Sequence, residues 1–157
     1  MQCEEKLEVF DNGFKDEKFN ITIRFYGSDS RKLLLAVIYE LYLRDYGSEY
    51  VYPFECSKEF WKIYLESSEI IPEELKLSKV KFINRSLIDK LKKTLAEINA
   101  PNEVKQSIDI EKAEIQKLKD GLIVMGRTFI LDESKKRLFV FNKPAVREII
   151  LKYLRRF

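Results

Sequence analysis

The residues best placed to do chemistry lie near the end of the chain. Asp132 and Glu133 follow an apolar run, and Lys135 stands two places after Glu133. Carboxylates at the end of a strand can hold Mg²⁺, and a neighbouring lysine can steady the water that attacks a phosphodiester. The same stretch is rich in positive charge. Lys135, Lys136 and Arg137 are consecutive, Arg127, Lys143 and Arg147 flank them, and Lys112, Lys117 and Lys119 come shortly before. Cations grouped in this way can neutralise phosphates and release their counterions.

Composition excludes most other chemistries. The 157 residues contain no histidine, which removes Ser-His-Asp and Cys-His nucleophile systems and any histidine base. Cys3 and Cys56 form no CxxC pair, so neither a disulfide framework nor a zinc cluster is expected. The five glycines are scattered and match no phosphate-binding loop. No cofactor is expected. No apolar run reaches the roughly 18 residues of a membrane span, and the first residues lack the layout of a signal peptide. These features point to a cytoplasmic, reduced protein with no membrane partner. Abundant Lys, Glu and Ile beside scarce Gln give a thermophile-like composition.

The net charge of +3 conceals a division. Residues 1–83 carry 12 Lys and Arg against 16 Asp and Glu, a balance of −4; residues 84–157 carry 17 against 10, a balance of +7. A chain split in this way is expected to meet different partners with its two parts. The division also suggests an acidic α/β subdomain at 1–83 and a basic helical-plus-hairpin subdomain at 84–157, which could share one core.

These residues need elements to position them. Asp11-Asn12-Gly13 has turn chemistry, and Phe19, Ile21, Ile23 and Phe25 alternate with polar residues as in a half-buried strand. A helix apolar almost all round is expected over "SDSRKLLLAVIYELYLRDYG", then a short strand at "SEYVYPFEC" and a helix at "KEFWKIYLESSE". "EELKLSKVKFI" reads as a strand whose phase shifts at Ser78. Asn84 or Ser86 can cap a helix with Leu87, Leu91, Leu95 and Ile98 as its stripe. Pro101 suits a short helix holding Val104 and Ile108. Asp109 can cap a further helix ending at Gly121, with Ile115 and Leu118 inward. "LIVMGRTFIL" and "RLFVF" read as strands around "DESKK", and Val146, Ile149, Ile150, Tyr153, Leu154 and Phe157 define a closing helix.

The expected fold is therefore α+β: a small mixed or antiparallel sheet with helices in front, and a three-helix-plus-hairpin unit behind. The segment "AEIQKLKDGLIVMGRTFILDESKKRLFVF" resembles the recognition helix and wing of a winged helix-turn-helix. That resemblance implies a helix in the major groove of double-stranded DNA and a cationic wing on the phosphates. Asp132, Glu133 and Lys135 in turn resemble the acid-x-lysine of PD-(D/E)xK nucleases, although the companion Pro-Asp is missing.

Three functions follow as expectations. The first is a nucleic-acid-binding protein, favoured over an enzyme, gripping phosphate through the nine cations named above. Its acidic residues 1–83 would then serve homodimerisation or a protein partner. The second is a subunit or inhibitor of a larger complex, with contact through its aromatic front half or Leu151. The third is the metal-dependent nuclease. Tyr39, Tyr42, Tyr46, Tyr50 and Tyr52 could stack on single-stranded nucleic acid, but core or interface packing is the simpler use; the same holds for Phe60, Trp61 and Cys56.

Overall fold

Residues 123–141 are apolar at nearly every strand position, and they fall into two alternating sets. Ile123, Met125, Ile130, Phe139 and Phe141 belong to one buried cluster, and Val124, Phe129, Leu131 and Leu138 to another. Successive side chains of a strand point to opposite faces, so these strands are buried on both sides. Helices must cover both faces. The computed structural model describes residues 7–10, 12–17, 20–27, 33–34, 36–37, 78–118 and 121–154.

Within them, eight strands form one sheet: β1 (Leu7–Phe10), β2 (Gly13–Asp16), β3 (Ile21–Tyr26), β4 (Ser78–Lys79), β5 (Glu114–Leu118), β6 (Gly121–Met125), β7 (Phe129–Asp132) and β8 (Arg137–Phe141). Their order is β1-β2-β3-β8-β7-β6-β5-β4, and each neighbouring pair is antiparallel. The pairing of Ile23 with Phe141 and of Tyr26 with Leu138 joins strands from either side of residue 83.

The described residues include three helices with defined bounds, α1 (Arg85–Glu97), α2 (Asn102–Gln106) and α3 (Val146–Leu154). Helix α3 packs on the first face, together with helical residues Leu33, Leu34, Ala36 and Val37. Ile88, Leu91 and Leu95 of α1 cover the second face opposite β5–β8. The start of α1 is fixed by Asn84, whose Oδ1 accepts the Leu87 N–H at 2.8 Å. This is the cap expected from sequence, and it satisfies one of the helix's orphan donors. Pro101 stands at the N-cap of α2, and the buried stripe of α3 comprises Val146, Ile149, Ile150, Leu151, Tyr153 and Leu154.

The expected helix-rich rear unit is overturned. Residues Glu114–Leu118, expected in a helix, form β5, and Leu118 lies opposite Gly121 in a hairpin. No recognition helix exists there, so the winged-helix-like arrangement is not formed. The apolar run at 122–131 is two strands rather than one, with Gly126 between them. A Cβ on Gly126 would lie 1.9 Å from the Phe129 ring, so only glycine allows this approach. The strand expected over 73–83 shrinks, among the described residues, to Ser78–Lys79. The elements expected at 48–56 and 58–69, and all but residues 33–34 and 36–37 of the helix expected over 28–47, lie outside the described residues, as does Phe157.

Phe139 is fully buried at the centre of the first face, with its ring edge-on to Phe25 at 4.8 Å. Phe139→Ala is expected to cost about 3–5 kcal/mol through lost transfer energy and the cavity left behind. Guanidinium unfolding would measure this; a loss under about 1 kcal/mol would mean that the two sides of the sheet do not share this packing.

Candidate functional site

The acid-acid-x-lysine triplet forms the turn between β7 and β8, and its side chains are occupied. Asp132 Oδ1 accepts the Ser134 hydroxyl at 3.0 Å and the Lys135 N–H at 3.3 Å, while Oδ2 accepts Arg137 at 2.8 Å. Asp132 and Arg137 are each 1% exposed. Glu133 accepts the Leu122 N–H at 3.3 Å and pairs with Lys90 of α1 at 3.0 Å. The carboxylates thus lock the hairpin to itself and to α1. Among the described residues no cluster of ligating side chains could hold a metal ion.

Of the cations expected to grip phosphate, Arg137 faces the core beside Asp132 and the Phe139 ring. Lys136 pairs with Glu97 at 2.8 Å and Lys112 with Asp109 at 4.0 Å. Arg147 donates to the Gly126 carbonyl at 3.3 Å. Lys117 is exposed on β5, Arg127 is exposed in the β6–β7 turn, Lys135 and Lys143 are half-buried, and Lys119 is outside the described residues. The hairpin register separates them further. Lys135 and Lys136 lie at the β7–β8 turn, whereas Arg127 lies at the opposite end of those strands, beside the Gly126 carbonyl that Arg147 reaches. Strands of this length hold the two ends roughly 14 Å apart. The eight that are described do not form one surface.

Leu151 is buried rather than standing off the helix, so it offers no contact surface. The aromatic residues of the front half that were considered for stacking or contact (Tyr39, Tyr42, Tyr46, Tyr50, Tyr52, Phe60 and Trp61) and Cys56 lie outside the described residues. An open cleft of about 390 Å³ beside α1 and α2 is lined by Lys92, Lys105, Asp109 and Glu111 over an apolar floor. Its charges are already matched: Lys92 lies 3.5 Å from Glu111, and Lys105 donates to the Ala96 carbonyl at 2.9 Å. Arg85 also hydrogen-bonds Glu111, which together with Lys92 holds that carboxyl below its ordinary value.

What remains is a corner that sequence reasoning assigned to a strand interior. Phe82 is 90% exposed and Ile83 47%, the two exposed large hydrophobic side chains among the described residues. They join β4 to α1. Ile83 precedes the Asn84 cap, where an apolar residue commonly packs on the fourth helical residue, here Ile88. Phe82 has no such local use. Lys79 and Lys81 are exposed beside it, and Lys117 is exposed opposite Ser78. The signal in the sequence was "KVKFIN", lysine alternating with apolar residues directly before a cap.

The description Ph1570 protein matches residues 1–157. The chain belongs to the Ph1570 protein family. It is similar to a solved structure described as ORF 1580, a hypothetical protein from Pyrococcus horikoshii. The two are 56% identical, with a TM-score of 0.75, over 96% of this chain and 90% of that one. No curated protein matches. No helix among the described residues is long and apolar enough to cross a membrane.

Two predictions follow from the turn. Removing one partner of a buried ion pair strands the other charge, so Arg137→Ala should cost about 3–5 kcal/mol in denaturant unfolding. A loss near zero would show that the pair does not hold the hairpin. The second concerns Glu97, whose carboxyl is held below its ordinary 4.5, first by the Lys136 hydrogen bond and then by its charge. A carboxyl with a lowered folded value adds stability above its unfolded value and loses it as pH falls through the folded one. A carboxyl-detected NMR titration should place Glu97 below 4.5, and Lys136→Met should bring it back up; no change in the variant would refute the pairing.

Proposed function

We propose that this chain is a non-catalytic binding component, working in the cytoplasm, that docks another protein through the β4–α1 corner. The observation that carries the reading is the 90% exposure of Phe82. Burying a phenylalanine side chain is worth about 1.5–3 kcal/mol, and interface anchors are commonly aromatic residues ringed by polar groups. Ile83 extends the apolar surface, while Lys79, Lys81 and Asn84 rim it. The occupied carboxylates at Asp132 and Glu133 support a binding role over nuclease chemistry.

Nucleic-acid binding through the rear-half cations has less support, because those cations divide between two ends of the sheet and several are neutralised. A photo-crosslinking amino acid in place of Phe82 distinguishes the readings. In extract from the source cells it should yield a discrete protein adduct that the same probe at Arg127 does not. Identical adducts from both positions, or an adduct that nuclease removes, would sink the protein-docking reading.

A further inference from the structure

We infer that the β4 edge accepts an added strand from a different protein, an extended acidic segment with apolar residues at alternate positions. This deepens the docking reading above and rests on it. β4 stands at one end of the strand order, and among the described residues nothing pairs with its outer side. The Val80 N–H donates to the Ile115 carbonyl at 3.0 Å, and Ser78 and Lys79 lie opposite Lys117 and Gln116. In an antiparallel ladder, residues bonded to a given neighbour alternate along the strand. With Val80 bonded inward, the residue before it, Lys79, turns its own N–H and C=O away from β5. An unpaired edge of this kind is a template for an incoming strand.

Charge selects the occupant. Several rear-half cations are matched: Arg85 with Asp89 and Glu111, Lys90 with Glu133, Lys92 with Glu111, Lys136 with Glu97. Lys79, Lys81 and Lys117 are exposed, and none makes an ion pair with a described residue. Lys79 shares the sheet face of Gln116, whereas Lys117 lies on the face of Ile115 and one strand in from the edge, so an acidic strand laid here would meet Lys79 and Lys81. A second copy related by two-fold symmetry would instead bring Lys79 and Lys81 of each chain together, since such an interface repeats one patch; like charges facing across strands are destabilising. Lysines on an edge also deter aggregation, but that role does not explain an exposed phenylalanine beside them. A single-stranded nucleic acid is less well served: it stacks on successive aromatic residues, and this corner presents Phe82 alone.

The probe is a ten-residue peptide alternating glutamate with valine and leucine, compared with the same peptide carrying lysine for glutamate and with an oligothymidylate of ten nucleotides. Anisotropy gives affinity on the full chain, and amide shifts locate the site. The acidic peptide should bind at least tenfold more tightly than the lysine peptide, with shifts centred on residues 78–83 and 114–118. Proline is tolerated where a strand's N–H faces outward, so Lys79→Pro should keep the unfolding midpoint and lose at least tenfold in affinity. Lys79→Glu/Lys81→Glu should reverse the peptide preference, which tests the charge argument should the proline variant fail to fold. The proposal is overturned by equal binding of both peptides, by no peptide binding, by preference for the oligothymidylate, or by an unchanged preference in the charge-reversed variant. Concentration-dependent growth in sedimentation velocity that mutation of Lys79 and Lys81 abolishes would also overturn it, in favour of a second copy. A protein adduct at position 82 with no peptide binding would leave the docking reading standing and remove only the strand-addition mode.

Discussion

The sheet's central strands have no polar face, and the rest of the architecture answers to that. Ile123, Ile130 and Phe139 on one side and Val124, Leu131 and Leu138 on the other are each essentially inaccessible to water. Antiparallel sheets often leave one face solvated; here β6, β7 and β8 cannot. The segment after β4 therefore returns as α1 across the second face before the chain re-enters the sheet at β5. The C-terminal α3 crosses the first face beside the residues around Leu34. The second face is covered where β5–β8 lie and turns polar towards β3, where Thr22 and Arg24 replace the apolar set. The apolar pattern thus decides where helices sit and, among the described residues, leaves β1 and β4 as the end strands of the sheet.

The buried Asp132–Arg137 pair joins the two sides of this arrangement at one turn. A buried ion pair gains little over well-packed apolar residues of equal volume, yet loses heavily when half of it is removed. Its value here is positional. Asp132 spends its second oxygen on Ser134 and the Lys135 N–H, while Glu133 reaches Leu122 and Lys90. One turn consequently fixes the β7–β8 register, the neighbouring β6 strand and the seat of α1. Charge that looks catalytic when written in a line is consumed in holding the fold, since Asp132, Glu133 and Arg137 are all engaged within the hairpin or with Lys90 of α1.

How much of this the sequence disclosed depends on whether the deciding interaction was local. The Asn84 cap, the alternation of Ile21, Ile23 and Phe25, and the stripe of α3 were legible because each is set by neighbours in the chain. β5 was not. "AEIQKL" consists largely of strong helix formers, Asp109 offers a cap, and Ile115 and Leu118 fit a helical face. Pairing with Leu122–Val124 and Lys79 overrides that preference, and such pairing is a tertiary fact. Asp120-Gly121 did carry a hairpin signal, but Gly121 served equally well as a helix terminus. The candidate site was less legible still. Phe82 fitted a strand interior once β4 was extended in the expected way, and only the early end of pairing at Val80 leaves it in solvent.

That early end distinguishes the corner from ordinary surface. A scattered exposed apolar residue needs no explanation, and Ile83 stands at the position before a helix cap where apolar residues are common. Phe82 differs because its neighbours are arranged to keep it outside. Val80 is bonded into the sheet, Asn84 is bonded into the helix cap, and these two anchors hold the three intervening residues as a fixed span. A phenylalanine on such a span starts from a limited set of positions, so ordering it against a partner costs less than ordering one on a free tail. Preorganisation and exposed lysines meet at the same edge, which is why the proposed docking is placed at this corner rather than at the turn between β7 and β8.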